Sequence, residues 1–293
     1  MPRTITVGLD GSPASRAAAD WAAGAAELRG LSLRLVHVWE PFPSPMAQVP
    51  SPDAETHRYW SERIPREAAE HLRARHPGLG IRTEQRGGSP AEVLTAEARE
   101  AELLVLGTRG TSALGGFLVG SVGLAVVAHA ERPVVLVRAG AHPVDPVTTQ
   151  AGPGPVVLGV DVAHPDDTVL GFAFDEAARR GTALRAVHGW YPPPYYAYGL
   201  AADPGLRQDI ARQQAAALTE VLRPWREKYP DVEVVEDAHC ASAAFRLAEA
   251  AAGASLVVVG RRTRRLPFGP WTGPVTHAVL HHAVAPVAVV PHG

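Results

Sequence analysis

A single cysteine, Cys240, stands in 293 residues. One thiol cannot close an internal disulfide or build a metal site on paired thiolates, and such usage fits a reducing compartment. Cys240 is therefore expected as a small buried hydrophobe. Charge of one sign is also lacking: 28 basic residues face 30 acidic ones, for a formal net charge of −2. Nucleic acid and anionic membrane both call for a basic face, so neither is expected as a partner. No apolar run reaches the roughly 18 residues of a membrane span. The opening stretch, MPRTITVGLDGS, has no charged-then-apolar leader layout, and a cytoplasmic location is expected. Catalytic signatures are missing as well: there is no G-x-x-x-x-G-K-[ST], no G-x-S-x-G and no C-x-x-C. No motif anchors a general base beside a nucleophile, so no catalytic residue is assigned. His277 and His281 have a spacing that can hold zinc, but they lack the H-E-x-x-H glutamate and a third ligand, so no metal ligand is assigned either.

What is present is a globular composition, 46% hydrophobic and 20% charged, in a chain long enough for two domains of about 150 residues. The chain also repeats itself. An apolar run ending in Gly8-x-Asp10 recurs 151 positions later as Gly159-x-Asp161, and His37-x-Trp39 recurs as His188-x-Trp190. Farther on, AELLVLGTRG answers to ASLVVVGRRT and RPVVLVR to APVAVVP, now offset by 153. Between the copies, residues 139–154 are rich in proline, glycine and small polar residues, as a linker would be. Two homologous domains are expected, 1–140 and 154–293.

Within the first copy, short Val/Leu/Ile runs near 3–9, 32–39, 79–86, 103–107 and 133–138 read as strands. They alternate with helical patterns near 13–29, 56–75, 90–100 and 120–130. Strands apolar on both sides and separated by helices imply a parallel sheet covered on two faces, a doubly wound α/β domain. Ligands of such sheets bind beyond the carboxyl ends of the strands. Asp10 and the stretch GTRGTSALGGFLVGS (107–121) both follow strand ends. Gly107 is read as the sharp turn that ends a strand, Gly110 as a close approach or positive φ, and Gly120 as the residue before a helix. Amides at that helix start, with the Ser121 hydroxyl, suit a phosphate. Asp10 would repel the same phosphates unless a cation intervenes, and is better placed to accept from an amine or hydroxyl. A base or ribose at one end and phosphates at the other describe a mononucleotide.

The spacing Gly107-x2-Gly110-x9-Gly120-Ser121, with Asp10 after the first strand and LVHVW as the second, resembles the ATP-binding branch of the universal stress protein family. The likeness covers nearly the whole chain as a tandem pair. It implies a five-stranded sheet of order 3-2-1-4-5 in each domain, adenine and ribose near Asp10, Val38 and the Leu106–Gly107 turn, and phosphates around Gly110, Gly120, Ser121 and the Val122 amide. The set assigned to the nucleotide is thus Asp10, Gly11, Ser12, Val38, Leu106, Gly107, Arg109, Gly110, Gly120, Ser121 and Val122, with Asp161, Gly260 and Gly273 as counterparts. ATP is the implied cofactor, alone or with Mg2+. The function implied is a nucleotide-dependent sensor or switch in the stress response. The alternative is a slow ATP hydrolase or phosphotransferase. A dinucleotide oxidoreductase is disfavoured, since GLDGSPAS lacks the G-x-G-x-x-G turn.

The second copy departs from the pattern. Thr263 replaces the middle glycine, Pro274 replaces the serine and lacks its N–H, and Gly189 stands where the first copy has Val38. Arg261, Arg262, Arg264 and Arg265 are positioned to grip phosphate by side chain instead. The first domain is therefore expected to bind ATP and the second to bind it weakly, differently or not at all. WEPFPSPMAQVPSP and WYPPPYYAYG follow the second strand of each copy and read either as exposed loops of no special purpose or as lids over the rims. His37 and His188, inside strands, read as satisfied residues and not as bases. The apolar last strands are expected to pack the two domains on each other, and a homodimer is compatible with this. A protein partner is expected but not identified by these residues.

Overall fold

A computed structural model describes residues 4–40, 52–108, 119–140, 154–192, 204–263 and 272–293. The chain divides into two compact units, Met1–Pro143 and Val144–Gly293.

The first unit runs β1 (Thr4–Leu9), α1 (Pro13–Arg29), β2 (Ser32–Trp39), α2 (Pro52–Arg75), β3 (Ile81–Gly87), α3 (Pro90–Glu100), β4 (Leu103–Thr108), α4 (Ser121–His129), β5 (Val134–Arg138). Its strands are all parallel, in the order β3-β2-β1-β4-β5. The central strands are buried on both faces: in β1, Ile5 and Val7 are apolar core, and Thr6 from the opposite face is equally buried. β3, at the end of the order, carries exposed Arg82, Thr83, Gln85 and Arg86. α1 packs on the sheet through alanines, among them Ala18, Ala22 and Ala26, whose small side chains let helix and strands approach closely. Its start is set by Ser12, whose hydroxyl accepts from the Ser15 amide at 3.1 Å, with Pro13 in the first turn. Its end is set by Gly30 at φ 63°.

The second unit repeats the plan as β6 (Val156–Gly159), α5 (Asp167–Arg180), β7 (Leu184–Gly189), α6 (Pro204–Lys228), β8 (Val234–His239), α7 (Ala243–Ala250), β9 (Leu256–Arg262), α8 (Pro274–His282), β10 (Val287–His292). Its strands are parallel in the order β8-β7-β6-β9-β10. Both units therefore have the 3-2-1-4-5 order. Among the described residues, no helix is long and apolar enough to cross a membrane.

A buried arginine ties sheet to helix in the first unit. Arg34 on β2 donates to the Thr6 hydroxyl (3.2 Å), and its guanidinium lies 2.5 Å from the Glu97 carboxylate on α3. Its counterpart Arg185 on β7 pairs with Asp237 on β8, which Arg246 of α7 also meets at 3.1 Å.

One expectation is corrected. Cys240 is exposed, not buried, because it lies just past β8, the end strand of its sheet. The two units also differ in the helix after the first strand: α5 starts at Asp167, three residues later than the position matching Pro13, so it lacks most of the first turn that α1 has.

Candidate functional site

In the first unit the carboxyl ends of β1, β2 and β4 surround a cavity of about 300 Å³. Asp10, leaving β1, accepts from the Ser12 amide at 3.0 Å. Burial raises the Asp10 pKa, but donation from the Ser12 hydroxyl and amide and from Ser15 outweighs it and holds the carboxyl below its usual range. It stands as a carboxylate with acceptor capacity to spare. At the opposite end Gly120 caps α4 with extended backbone (φ −60°, ψ 154°), and a Cβ placed on it would meet none of the described residues within 4 Å. The first backbone bond of the helix runs from the Leu124 amide to the Gly120 carbonyl, 3.0 Å. The amides of Ser121, Val122 and Gly123 thus have no carbonyl one turn back, and they start the helix at the positive end of its dipole. A carboxylate at one end and helix-start amides at the other give this cavity opposite polarity along its length.

Of the expected set, Asp10, Ser12, Val38, Leu106, Gly107, Gly120, Ser121 and Val122 line this one cavity. Gly11 does not; its φ of 79° makes the turn behind Asp10, and it packs against Ile64. Arg109 and Gly110 lie outside the described residues, as do Arg264, Arg265 and most of both lid segments. Gly107 lies inside β4, paired with Val137, and does not end it. Glycine is required there because a Cβ would come within 2.4 Å of the Ala14 carbonyl carbon and 2.5 Å of the Ser15 nitrogen. The close approach is that of the start of α1, not of a ligand. Missed by sequence reasoning were Pro90 and Leu94 of α3, which also line the cavity. Their signal was available: Leu94 recurs as Leu247 at the 153-residue offset, on a helix that points at the same rim. His37 Nδ1 donates to the Leu9 carbonyl at 2.8 Å and His188 Nδ1 to the Val160 carbonyl at 3.1 Å, fixing the strand ends beside Asp10 and Asp161.

The second unit holds a cavity of about 440 Å³ at the matching place, lined by Asp161, Gly260 and Gly273. Asp161 accepts from the Ala163 amide at 3.1 Å, as Asp10 does from Ser12, but it also receives the Arg262 guanidinium at 3.1 Å. Arg261, expected to reach phosphate, is buried on β9, and burial lowers its pKa. Pro274 occupies the first turn of α8, so the missing amide is missing at the helix start itself. Gly260 faces no helix backbone: a Cβ there would lie 2.8 Å from His292 Nε2, in space that the shortened α5 leaves open. Gly189 is obligatory, since a Cβ would come within 2.5 Å of the Ala243 nitrogen at the start of α7. Among the described residues, no group of three or more His, Cys, Asp or Glu is arranged to hold a metal ion.

Comparison with known proteins agrees with this architecture. The model of the universal stress protein family matches residues 1–138 and 154–291. A universal stress protein of Mycobacterium tuberculosis is 35% identical over 300 residues, covering 97% of this chain and 96% of its own. One of Mycolicibacterium smegmatis is 35% identical over 297 residues, covering 98% and 96%. Among solved structures, a universal stress protein from Archaeoglobus fulgidus superposes with a TM-score of 0.70 at 17% identity, covering 99% of this chain and 98% of that one, a likeness of fold. With both copies matched and relatives aligned end to end, the chain belongs to the universal stress protein family.

Proposed function

We propose that the N-terminal unit binds ATP and acts as a nucleotide-dependent regulator, not as a fast catalyst. The observation that carries this is the cavity between Asp10 and the start of α4. One end offers a carboxylate to ribose hydroxyls or a base amine, and the other offers the amides of Ser121 and Val122 and the Ser121 hydroxyl to phosphate. Val38, Leu94 and Leu106 supply an apolar wall for the base. Its volume falls at the lower end of the range usual for small-molecule sites, about 300–1,000 Å³. Among the described lining residues the one titratable side chain is Asp10, which Ser12 holds as a carboxylate, an acceptor for binding more than a base for turnover. Occupancy by ATP, alone or with Mg2+, would alter the surface shown to a protein partner. The same proposal has the two units associate through their last strands, on the ground that RPVVLVR and APVAVVP are apolar runs.

Gly120→Glu is the test. Among the described residues nothing lies within 4 Å of a Cβ at this position, so the variant is expected to fold, while the added carboxylate occupies the phosphate end. Titration calorimetry is expected to show ATP binding reduced at least about 100-fold, with the unfolding midpoint unchanged; a loss of that size is about 2.7 kcal/mol. Unchanged ATP affinity in the folded variant would remove the site from this cavity.

A further inference from the structure

We propose that the C-terminal cavity binds a nucleoside, a nitrogen heterocycle on a hydroxylated sugar, and discriminates against its phosphorylated forms. The inference rests on the mononucleotide reading of the N-terminal cavity only for the layout of base end and phosphate end. The two cavities keep the same floor: Gly8, Leu94 and Leu106 have their counterparts in Gly159, Leu247 and Val259. They keep the same first-strand carboxylate, Asp10 or Asp161. They differ at both ends, in a coordinated way.

Besides the start of α1 or α5, each cavity is flanked by the starts of the two helices on either side of its fourth strand, and in each unit one of that pair begins with proline. In the N-terminal unit the proline is Pro90 on α3, at the base end, and α4 at the phosphate end begins with Ser121. In the C-terminal unit the proline is Pro274 on α8, and α7 begins with Ala243. Proline carries no N–H, so the repeat has moved a helix-start donor from the phosphate end to the base end. Gly189 belongs to the same change. It and Ala243 both line the cavity, and any side chain at 189 would collide with the Ala243 amide nitrogen, 2.5 Å from the Cβ position. Where the N-terminal cavity is lined by Val38 and Pro90, the C-terminal one has a bare glycine beside an amide. That amide suits a ring nitrogen or carbonyl of a base.

The other end has become hostile to phosphate. With the first turn of α5 withdrawn, His292 reaches over Gly260, and its Nδ1 lies 3.4 Å from the Asp166 carboxylate. The Gly260 carbonyl in turn accepts from the Thr276 hydroxyl in the first turn of α8, at 2.8 Å. A carboxylate and an imidazole therefore stand beside the helix start that has lost its first amide. The Arg262 cation is engaged with Asp161. Phosphate oxygens brought here would meet Asp166 and find no amide at the first position of α8, whereas sugar hydroxyls can both donate to the carboxylates and accept from the imidazole.

The test uses the full-length chain. ATP is first added to saturation, filling the N-terminal site, and adenosine is then titrated by equilibrium dialysis with labelled ligand. One equivalent of adenosine is expected to bind without displacing ATP. Ala243→Pro places proline at the start of α7 as Pro90 does in α3; Ser242 (φ −58°, ψ 122°) already has the backbone of Ser89 (φ −67°, ψ 122°), so the helix accepts it. This variant is expected to bind adenosine about tenfold more weakly, the size of one lost hydrogen bond, and to bind its one ATP as before. Failure of adenosine to bind at millimolar concentration, a second equivalent of ATP in its place, or unchanged adenosine affinity in Ala243→Pro overturns the proposal. A chain that binds no ATP at all refutes the reading of the N-terminal site instead. The adenosine titration, repeated without ATP on the wild type and on Ala243→Pro, then decides this proposal by itself.

Discussion

The two glycines that frame the N-terminal cavity answer to different neighbours, and single-atom additions separate them. A methyl group on Gly107 would press on the carbonyl carbon and oxygen of Ala14 and on the nitrogen of Ser15, all backbone at 2.4 to 2.5 Å, so relief requires moving the start of α1. On Gly120 the same methyl meets none of the described residues within 4 Å. Gly107→Ala is therefore expected to cost about 2–4 kcal/mol in urea unfolding, in the range of core overpacking and broken close approaches. Gly120→Ala is expected to stay within about 0.5 kcal/mol of the wild type. Equal costs at the two positions would mean that α1 does not seat on β4 in this way. Sequence spacing singled out both residues but assigned Gly107 to a turn. Its actual constraint comes from a helix almost a hundred positions earlier, which no local pattern displays.

At the scale of elements, the strands and helices were legible because their apolar patterns are unambiguous. β4 and β5 open on continuous apolar runs, β1 sets Ile5, Val7 and Leu9 at alternate positions, and α1 repeats alanine at helical spacing. The late start of α5 has its own local signals. Pro165 holds His164 out of helical geometry, and Asp166 accepts from the Thr168 amide at 2.9 Å as the cap. The same element-level asymmetry appears in the arginines that brace each sheet. The Arg34 side chain is 11% exposed and joins β2 to α3, the helix that supplies Pro90 and Leu94 to the cavity. Arg185 is 36% exposed; each carboxylate keeps a second arginine when the first is removed, Asp237 its Arg246 and Glu97 its Arg86 at 2.9 Å, so the difference lies in the burial of the first. Arg34→Ala is accordingly expected to cost about 3 kcal/mol, as for breaking a buried pair, and Arg185→Ala about 1 kcal/mol. Chemical denaturation of the two variants checks the ordering; an Arg185→Ala cost equal to or above that of Arg34→Ala would reverse it.

At the scale of the molecule, each cavity is the property of one unit. The residues lining the first run from Gly8 to Gly123, inside Met1–Pro143, and those lining the second from Leu158 to His292, inside Val144–Gly293. Duplication therefore freed one copy to change while the other kept its polarity. The exchange of prolines between α3 and α4 on one side and α7 and α8 on the other is a change of that kind. If the cavities are independent, continuity of the chain between 139 and 154 is not needed for either. A specific protease site placed within PVDPVTTQ, residues 143–150, provides the measurement. After complete cleavage, ATP affinity is expected to remain within about twofold of the uncut protein, a change below about 0.4 kcal/mol. A tenfold loss on cutting would show that the N-terminal cavity draws its binding free energy from beyond its own unit.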